Sequence, residues 1–154
     1  MRYLLIASIL IAPFYSNAAG LEDAFSRSAA GMKVQSQRMK VISQNIANSD
    51  STASSPGELP YRRKTIFFKN QIDPVTGNEV IMVDKISRDY KTKFKARFDP
   101  GHPAADEDGY ILLSNVNRSL ENVDMKEAER SYEANLGAVE TTKRMYMSTL
   151  ELLR

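Results

Sequence analysis

A chain of 154 residues has room for one domain, or for a small domain with extended parts, and 42% hydrophobic with 26% charged residues argues against wholesale disorder. A formal net charge of +2, spread along the chain, marks out no nucleic-acid surface; the one basic cluster, Arg62-Arg63-Lys64, is short and reads as a solvated strand face. Cysteine is absent, which removes disulfides, thiolate metal sites and thiol nucleophiles together and is compatible with an oxidising compartment.

Residues 1–19 are set apart by composition. Arg2 gives a positive start, Leu4 to Ala12 a short apolar core and Ser16-Asn17-Ala18 a small-residue end, with no acid before Glu22. This pattern predicts a secretory signal peptide cleaved after Ala18 or Ala19, or otherwise an N-terminal extension of the first helix or a start placed too far upstream. The apolar run is too short to span a bilayer, for which about 20 residues are needed.

Residues 20–48 form the first predicted stem, a helix from Leu21 to Ala47. Leu21, Phe25, Ser28, Met32, Gln35, Met39, Ile42 and Ile46 recur at alternating steps of four and three. That is heptad spacing, which lays a narrow stripe along one side and favours winding around a neighbouring helix. Asn48 to Thr52 compete for backbone hydrogen bonds and end the helix, and Ser54, Ser55, Pro56, Gly57 and Pro60 complete a breaker-rich linker over 49–60.

A small β-rich middle part follows over 61–117. Tyr61 to Lys69, Glu79 to Val83, Lys85 to Tyr90, Thr92 to Phe98 and Tyr110 to Leu113 read as short strands, with turns at Asp73-Pro74 and Gly77-Asn78. In the fourth, Phe94, Ala96 and Phe98 alternate with Lys93, Lys95 and Arg97, which predicts one buried face. Asp99, His102, Asp106 and Asp108 crowd one loop, but zinc wants more nitrogen or sulfur ligands, and an EF-hand wants oxygens at alternate positions closed by a Glu. His102 is the only histidine, and hemmed by Gly101 and Pro103 it reads as a structural hydrogen-bonding group. With no Gly-rich phosphate loop either, the residues point to no enzyme, no cofactor and no small-molecule substrate.

The second stem, 118–154, repeats the first. Ala128, Tyr132, Asn135, Val139, Thr142, Tyr146, Thr149 and Leu153 follow the same alternation, with Leu136, Leu150 and Leu152 flanking. Such a helix is about 50 Å long at 1.5 Å per residue, more than an ordinary core of this size needs. Polar positions such as Gln35, Asn135 and Thr142 weaken the seam and fix register. The expected architecture is α+β, with two long coiled-coil-like stems bracketing the β-rich part and completed by other chains.

Several separated motifs carry a resemblance that covers about Leu21 to Leu153. Gln37 to Asn48, ending Asn45-Ile46-Ala47-Asn48, resembles the N-terminal signature of bacterial flagellar rod, hook and related axial proteins. Pro60-Tyr61-Arg62-Arg63-Lys64, Phe98-Asp99-Pro100-Gly101-His102-Pro103, Asn115-Val116-Asn117 and Val123 through Leu136 are similar to the flagellar basal-body rod proteins in particular. The resemblance implies a structural subunit of the proximal rod, the hollow shaft that crosses the periplasm. Its implied partners are other rod proteins and copies of itself, together with the export apparatus and the MS-ring base. The stems become assembly surfaces: Met32, Gln35, Met39, Ile42, Asn45, Ile46 and Asn48 on the first, and Ala128, Tyr132, Asn135, Leu136, Val139, Tyr146, Leu150 and Leu153 on the second. Rod proteins usually leave through the flagellum's own export apparatus without a cleaved signal, at odds with residues 1–19. The rival readings are a periplasmic adaptor or binding module built on a private helical hairpin, and a metal enzyme using Asp99, His102, Asp106 and Asp108.

Overall fold

The computed structural model describes residues 16–74 and 77–152, with side chains from Gly20 onward, so the expected signal core at 4–12 and Leu153 lie outside the described residues. The order is α1 (Ser16–Ala47), β1 (Lys64–Ile72), β2 (Glu79–Arg88), β3 (Lys95–Phe98), β4 (Tyr110–Leu113) and α2 (Arg118–Leu152), an α+β arrangement in which the two long helices bracket two small sheets.

Both helices end where their side chains say they should. At the close of α1, the Asn48 side-chain amide donates to the Gln44 carbonyl at 2.8 Å and the Ser49 hydroxyl to the Ile46 carbonyl at 2.9 Å, satisfying orphan carbonyls of the last turn. At the start of α2, Asn117 Oδ1 accepts from the amides of Ser119 and Leu120 at 3.1 and 3.4 Å, as an N-cap does. The helix α1 begins upstream of the expected Leu21, because Ala18 and Ala19 favour helix and Gly20 alone does not stop it.

The helices pack antiparallel on each other. A Cβ added at Gly31 would meet Asn135 Oδ1 at 2.7 Å, so glycine permits the approach there. Beside the seam, Arg38 reaches Glu127 at 3.5 Å and Asp124 at 3.8 Å. Buried Val34 and Val41 lie off the four-three stripe, and α1 packs against the β1–β2 ribbon as well as against α2. A helix covered on two sides buries a wider arc than one stripe.

The ribbon joins what the sequence separates. Glu79–Val83 and Lys85–Tyr90 were expected as two strands parted by Asp84; they form the single strand β2, antiparallel to β1, with a bulge where Phe67 pairs with Lys85 and Phe68 with Val83. Asp84 is the extra residue, and backbone pairing carries the strand past it. In the second sheet β3 pairs with β4, and the segment after α1 lies alongside: Thr52 bridges Leu113, and the Ser114 amide donates to the Ser51 carbonyl at 3.2 Å. The expected buried face of β3 is not found. Phe94 is half-buried, but Ala96 and Phe98 are exposed; the Phe98 ring lies edge-on to the Tyr110 ring, 5.3 Å away, and beside Gly109. The turn behind it needs Gly109, whose φ of 78° and close Phe98 ring leave no room for a side chain.

Candidate functional site

The hairpin has two unlike ends. At the inner end, where α1 finishes and α2 begins, buried Asn45 uses both halves of its amide. Its Oδ1 accepts from the Tyr61 hydroxyl and the Lys64 amide, each at 2.9 Å, while its Nδ2 donates to the Lys64 carbonyl and to Glu121 Oε2, also at 2.9 Å. The other Glu121 oxygen accepts from Arg63 Nε at 2.6 Å, and Glu121 itself is 1% exposed. Asn115 then clamps the neighbouring chain: its Oδ1 accepts from the Arg63 amide at 2.7 Å, and its Nδ2 donates to the carbonyls of Asp89 and Thr92. Burial first, and the Glu121 carboxylate second, push the Tyr61 hydroxyl up in pKa, so it keeps the proton it gives to Asn45. One buried polar network thus ties both helices to the root of the ribbon, with its members satisfied by one another.

This network corrects the expectation of a solvated Arg62-Arg63-Lys64 face. Arg63 is paired with buried Glu121, Arg62 lies over the rings of Phe94 at 4.1 Å and Tyr90 at 5.0 Å, and Lys64 Nζ donates to Gln44 Oε1 at 3.0 Å. A short basic run looks solvated until its partners, drawn from distant segments, are known.

At the outer end the hairpin is apolar and unfilled. Phe25, Leu136, Met145, Tyr146, Met147, Leu150 and Leu152 are exposed, and an open cleft of about 490 Å³ is lined by Leu21, Phe25, Thr142 and Tyr146, with Glu22 and Lys143 beside them. Seam residues with polar side chains turn onto their own helix: Asn135, Thr142 and Thr149 donate to the carbonyls four residues earlier, at 2.8, 2.9 and 2.9 Å. Gln35 Oε1 is buried without a hydrogen-bond partner among the described residues.

Fourteen of the fifteen candidate surface residues fall among the described residues and separate into four groups, with Leu153 outside. Ile42, Asn45 and Ala128 are buried within the chain, and Asn48 caps its own helix. Met32, Gln35, Met39, Ile46, Tyr132, Asn135 and Val139 are half-buried along the hairpin, whereas Leu136, Tyr146 and Leu150 stand exposed. Tyr61, Arg63, Asn115 and Glu121 were missed as a group. Tyr61, Arg63 and Asn115 stand in motifs that carry the resemblance, but nothing there joins them to Glu121, an acid in the first turn of α2 that helix-dipole arguments already account for.

In the loop with the acids, the Ala104 amide donates to His102 Nδ1 at 3.1 Å, leaving Nε2–H to face Thr52 Oγ1 at 3.3 Å. Asp106 Oδ1 accepts from the amides of Asp108 and Tyr110. No group of three or more metal-ligating side chains is assembled among the described residues.

Two family models match the chain: one described as "Flagella basal body rod protein" over residues 28–53, and one described as "Flagellar basal body rod FlgEFG protein C-terminal" over 107–152. A protein of Agrobacterium fabrum named flagellar basal-body rod protein FlgC is 43% identical over 134 residues, covering 87% of this chain and 96% of its own. Proteins of the same name from Borreliella burgdorferi and Salmonella typhimurium are 35% and 33% identical, covering 88% and 86% of this chain and 99% and 97% of theirs. The chain belongs to the FlgC family of flagellar basal-body rod proteins. The two stretches matched by family models hold Asn45, the α1 cap, Asn115, Glu121 and all of α2, with the ribbon between them, whereas the FlgC relatives match across most of the chain.

Proposed function

We propose that this chain is a structural subunit of the flagellar basal-body rod, entering the shaft through the outer half of its hairpin and acting by assembly without chemistry of its own. The observation that carries this is the contrast within one hairpin: its inner end is saturated by internal hydrogen bonds, while its outer end leaves large apolar side chains in water. A head-to-tail contact that does not close generates a helical tube. At about 25 cal/mol per Å², burying a few hundred Å² more of apolar surface supplies several kcal/mol per contact before ordering costs.

The partners are other rod subunits and further copies, with the export apparatus and the MS-ring base at the inner end of the shaft. Delivery by a secretory signal over residues 1–19 is supported by the order of Arg2, the Leu4–Ala12 core and Ser16-Asn17-Ala18. A mature protein beginning at Ala19 or Gly20 on N-terminal sequencing supports that route, and one that keeps Met1 excludes it.

The test of the rod reading is Leu136→Asp combined with Leu150→Asp, both exposed in the monomer. It sets two charges on the outer seam, and the expected result is a folded monomer, basal bodies lacking the chain and loss of swimming. Normal motility in that variant contradicts the reading.

A further inference from the structure

We propose that the cleft at the root of the β1–β2 ribbon is an oxyanion site, taking one phosphate or carboxylate between Arg62, Lys64 and Arg88. It stands apart from the rod reading and does not need it. The cleft is open, about 270 Å³ in volume, and is lined by Leu59, Pro60 and Tyr61 as well as by the three cations. At about 30 Å³ per water, that is room for a tetrahedral anion and several waters. Lys64 and Arg88 are direct partners in the antiparallel ladder, so their side chains leave the same face. Like charges set directly opposite one another are destabilising. Arg62, two residues before Lys64, brings a third.

None of the three forms an ion pair among the described residues, whereas Arg63, which stands between Arg62 and Lys64, pairs with Glu121 at 2.6 Å. The acids closest in sequence are already engaged. Glu58 Oε2 accepts from the Ser54 amide at 3.2 Å and the Ser55 hydroxyl at 3.3 Å, and the Asp89 carboxylate accepts from the amides of Lys91 and Thr92 and from the Thr92 hydroxyl. Arg88 is exposed at the mouth of the cleft. Burial and then the Glu121 carboxylate raise the Tyr61 pKa, and the Arg88 charge is felt there as the opposing influence.

Arg62 and Lys64 are held in place before any ligand arrives. Arg62 Nη1 donates to the carbonyls of Asp89 at 2.9 Å and Thr92 at 3.4 Å, and its guanidinium lies over the rings of Phe94 and Tyr90. The N–H groups on Nε and Nη2 are left for a ligand. Lys64 Nζ gives one N–H to Gln44 Oε1 at 3.0 Å and keeps two. A guanidinium fixed in this way presents a planar fork that matches two oxygens of one phosphate or carboxylate, with little freedom left to lose. An anion seated here would also relieve the repulsion between Lys64 and Arg88, which no residue of the cleft offsets.

The test uses the purified full chain and inorganic phosphate, with sodium chloride at matched ionic strength as the control. The expected result is saturable movement of the Tyr61, Lys64 and Arg88 amide signals at millimolar phosphate, and a higher melting temperature in phosphate than in chloride. Arg88→Gln should melt above the parent in low salt, because the opposed like charges are gone, and should bind phosphate several-fold more weakly. Lys69→Gln, which removes a cation paired with Asp84 at 3.6 Å on the same ribbon, should leave phosphate binding unchanged. Phosphate that acts on the parent no differently from chloride overturns the site without any variant, and so does equal binding by the parent and Arg88→Gln. Arg88→Glu in cells then separates the two sources of the anion. Loss of the folded variant from basal bodies assigns the cleft to a neighbouring subunit's carboxylate, and normal incorporation assigns it to a free anion.

Discussion

The inner and outer ends of the helical hairpin are built from similar residues in a similar rhythm, yet they are finished in opposite ways. The inner end closes on itself: Asn45, Tyr61, Arg63, Asn115 and Glu121 satisfy one another, and Ala128 packs with no exposure at all. The outer end, from Leu21 to Arg27 on α1 and Met145 to Leu152 on α2, shows its apolar side chains to solvent. A periodic stripe thus marks where a helix wants a neighbour, whereas the polar groups beside it decide whether that neighbour is found within the chain.

The largest expected effect is at the inner end. Glu121→Ala removes the buried acceptor of Arg63, whose guanidinium keeps only Asp124 at 3.6 Å, and one of the two acceptors of Asn45 Nδ2; loss of hydrogen bonds to a charged group costs about 1.5–3 kcal/mol. Tyr146→Ala at the outer end should cost the monomer no more than about 0.5 kcal/mol, as exposed substitutions do. Urea denaturation of the two variants checks this, and equal losses break the comparison. Next in size, amide exchange in the monomer should be about 100-fold slower over Val41–Ile46 and Met125–Ala128 than over Leu21–Arg27 and Met145–Leu152, since opening free energy follows local burial. Uniform protection along both helices would remove the distinction.

The smallest effect is a pH dependence at the edge of the junction. Hydrogen bonds to Asp89, the Thr92 hydroxyl's first and the Thr92 amide's second, hold its carboxyl below the ordinary aspartate range. A carboxylate depressed on folding adds stability that is present above the unfolded value near 3.9 and is lost as pH falls through the lower folded value. Asp89→Asn should therefore lose less melting temperature than the parent between pH 5 and pH 2. Because this carboxyl is largely exposed, the difference is small.

The elements governed by neighbours in sequence were legible. Asn48 marks the end of the first helix by local capping, and Tyr110–Leu113 reads as the strand it is. The presence of two long helices could be read from spacing, although α1 starts before Leu21 and buries Val34 and Val41 off its stripe, and so could the structural role of His102, hemmed in its turn and bonded through both ring nitrogens. What depends on distant partners was not. Asn45 and Glu121 are 76 residues apart, and nothing near either announces the other. Arg62 and Arg63 look like surface charges until the rings and the carboxylate that receive them are in place. The β2 strand was cut at Asp84 because a lone acid resembles a turn residue, and only pairing with β1 shows the strand continuing.

That extra aspartate has a counterintuitive corollary. With the bulge present, Ile86 and Val83 share a side; had the ladder stayed regular through Asp84, every residue from Val83 outward would have swapped sides and put Val83 and Ile81 among the lysines. Excising Asp84 would reach the same sidedness by ordinary alternation, so a one-codon deletion in mid-strand, normally ruinous, should here be tolerated. What it would change is aim: bulges sharpen local twist, and a straightened blade would point its tip in a new direction.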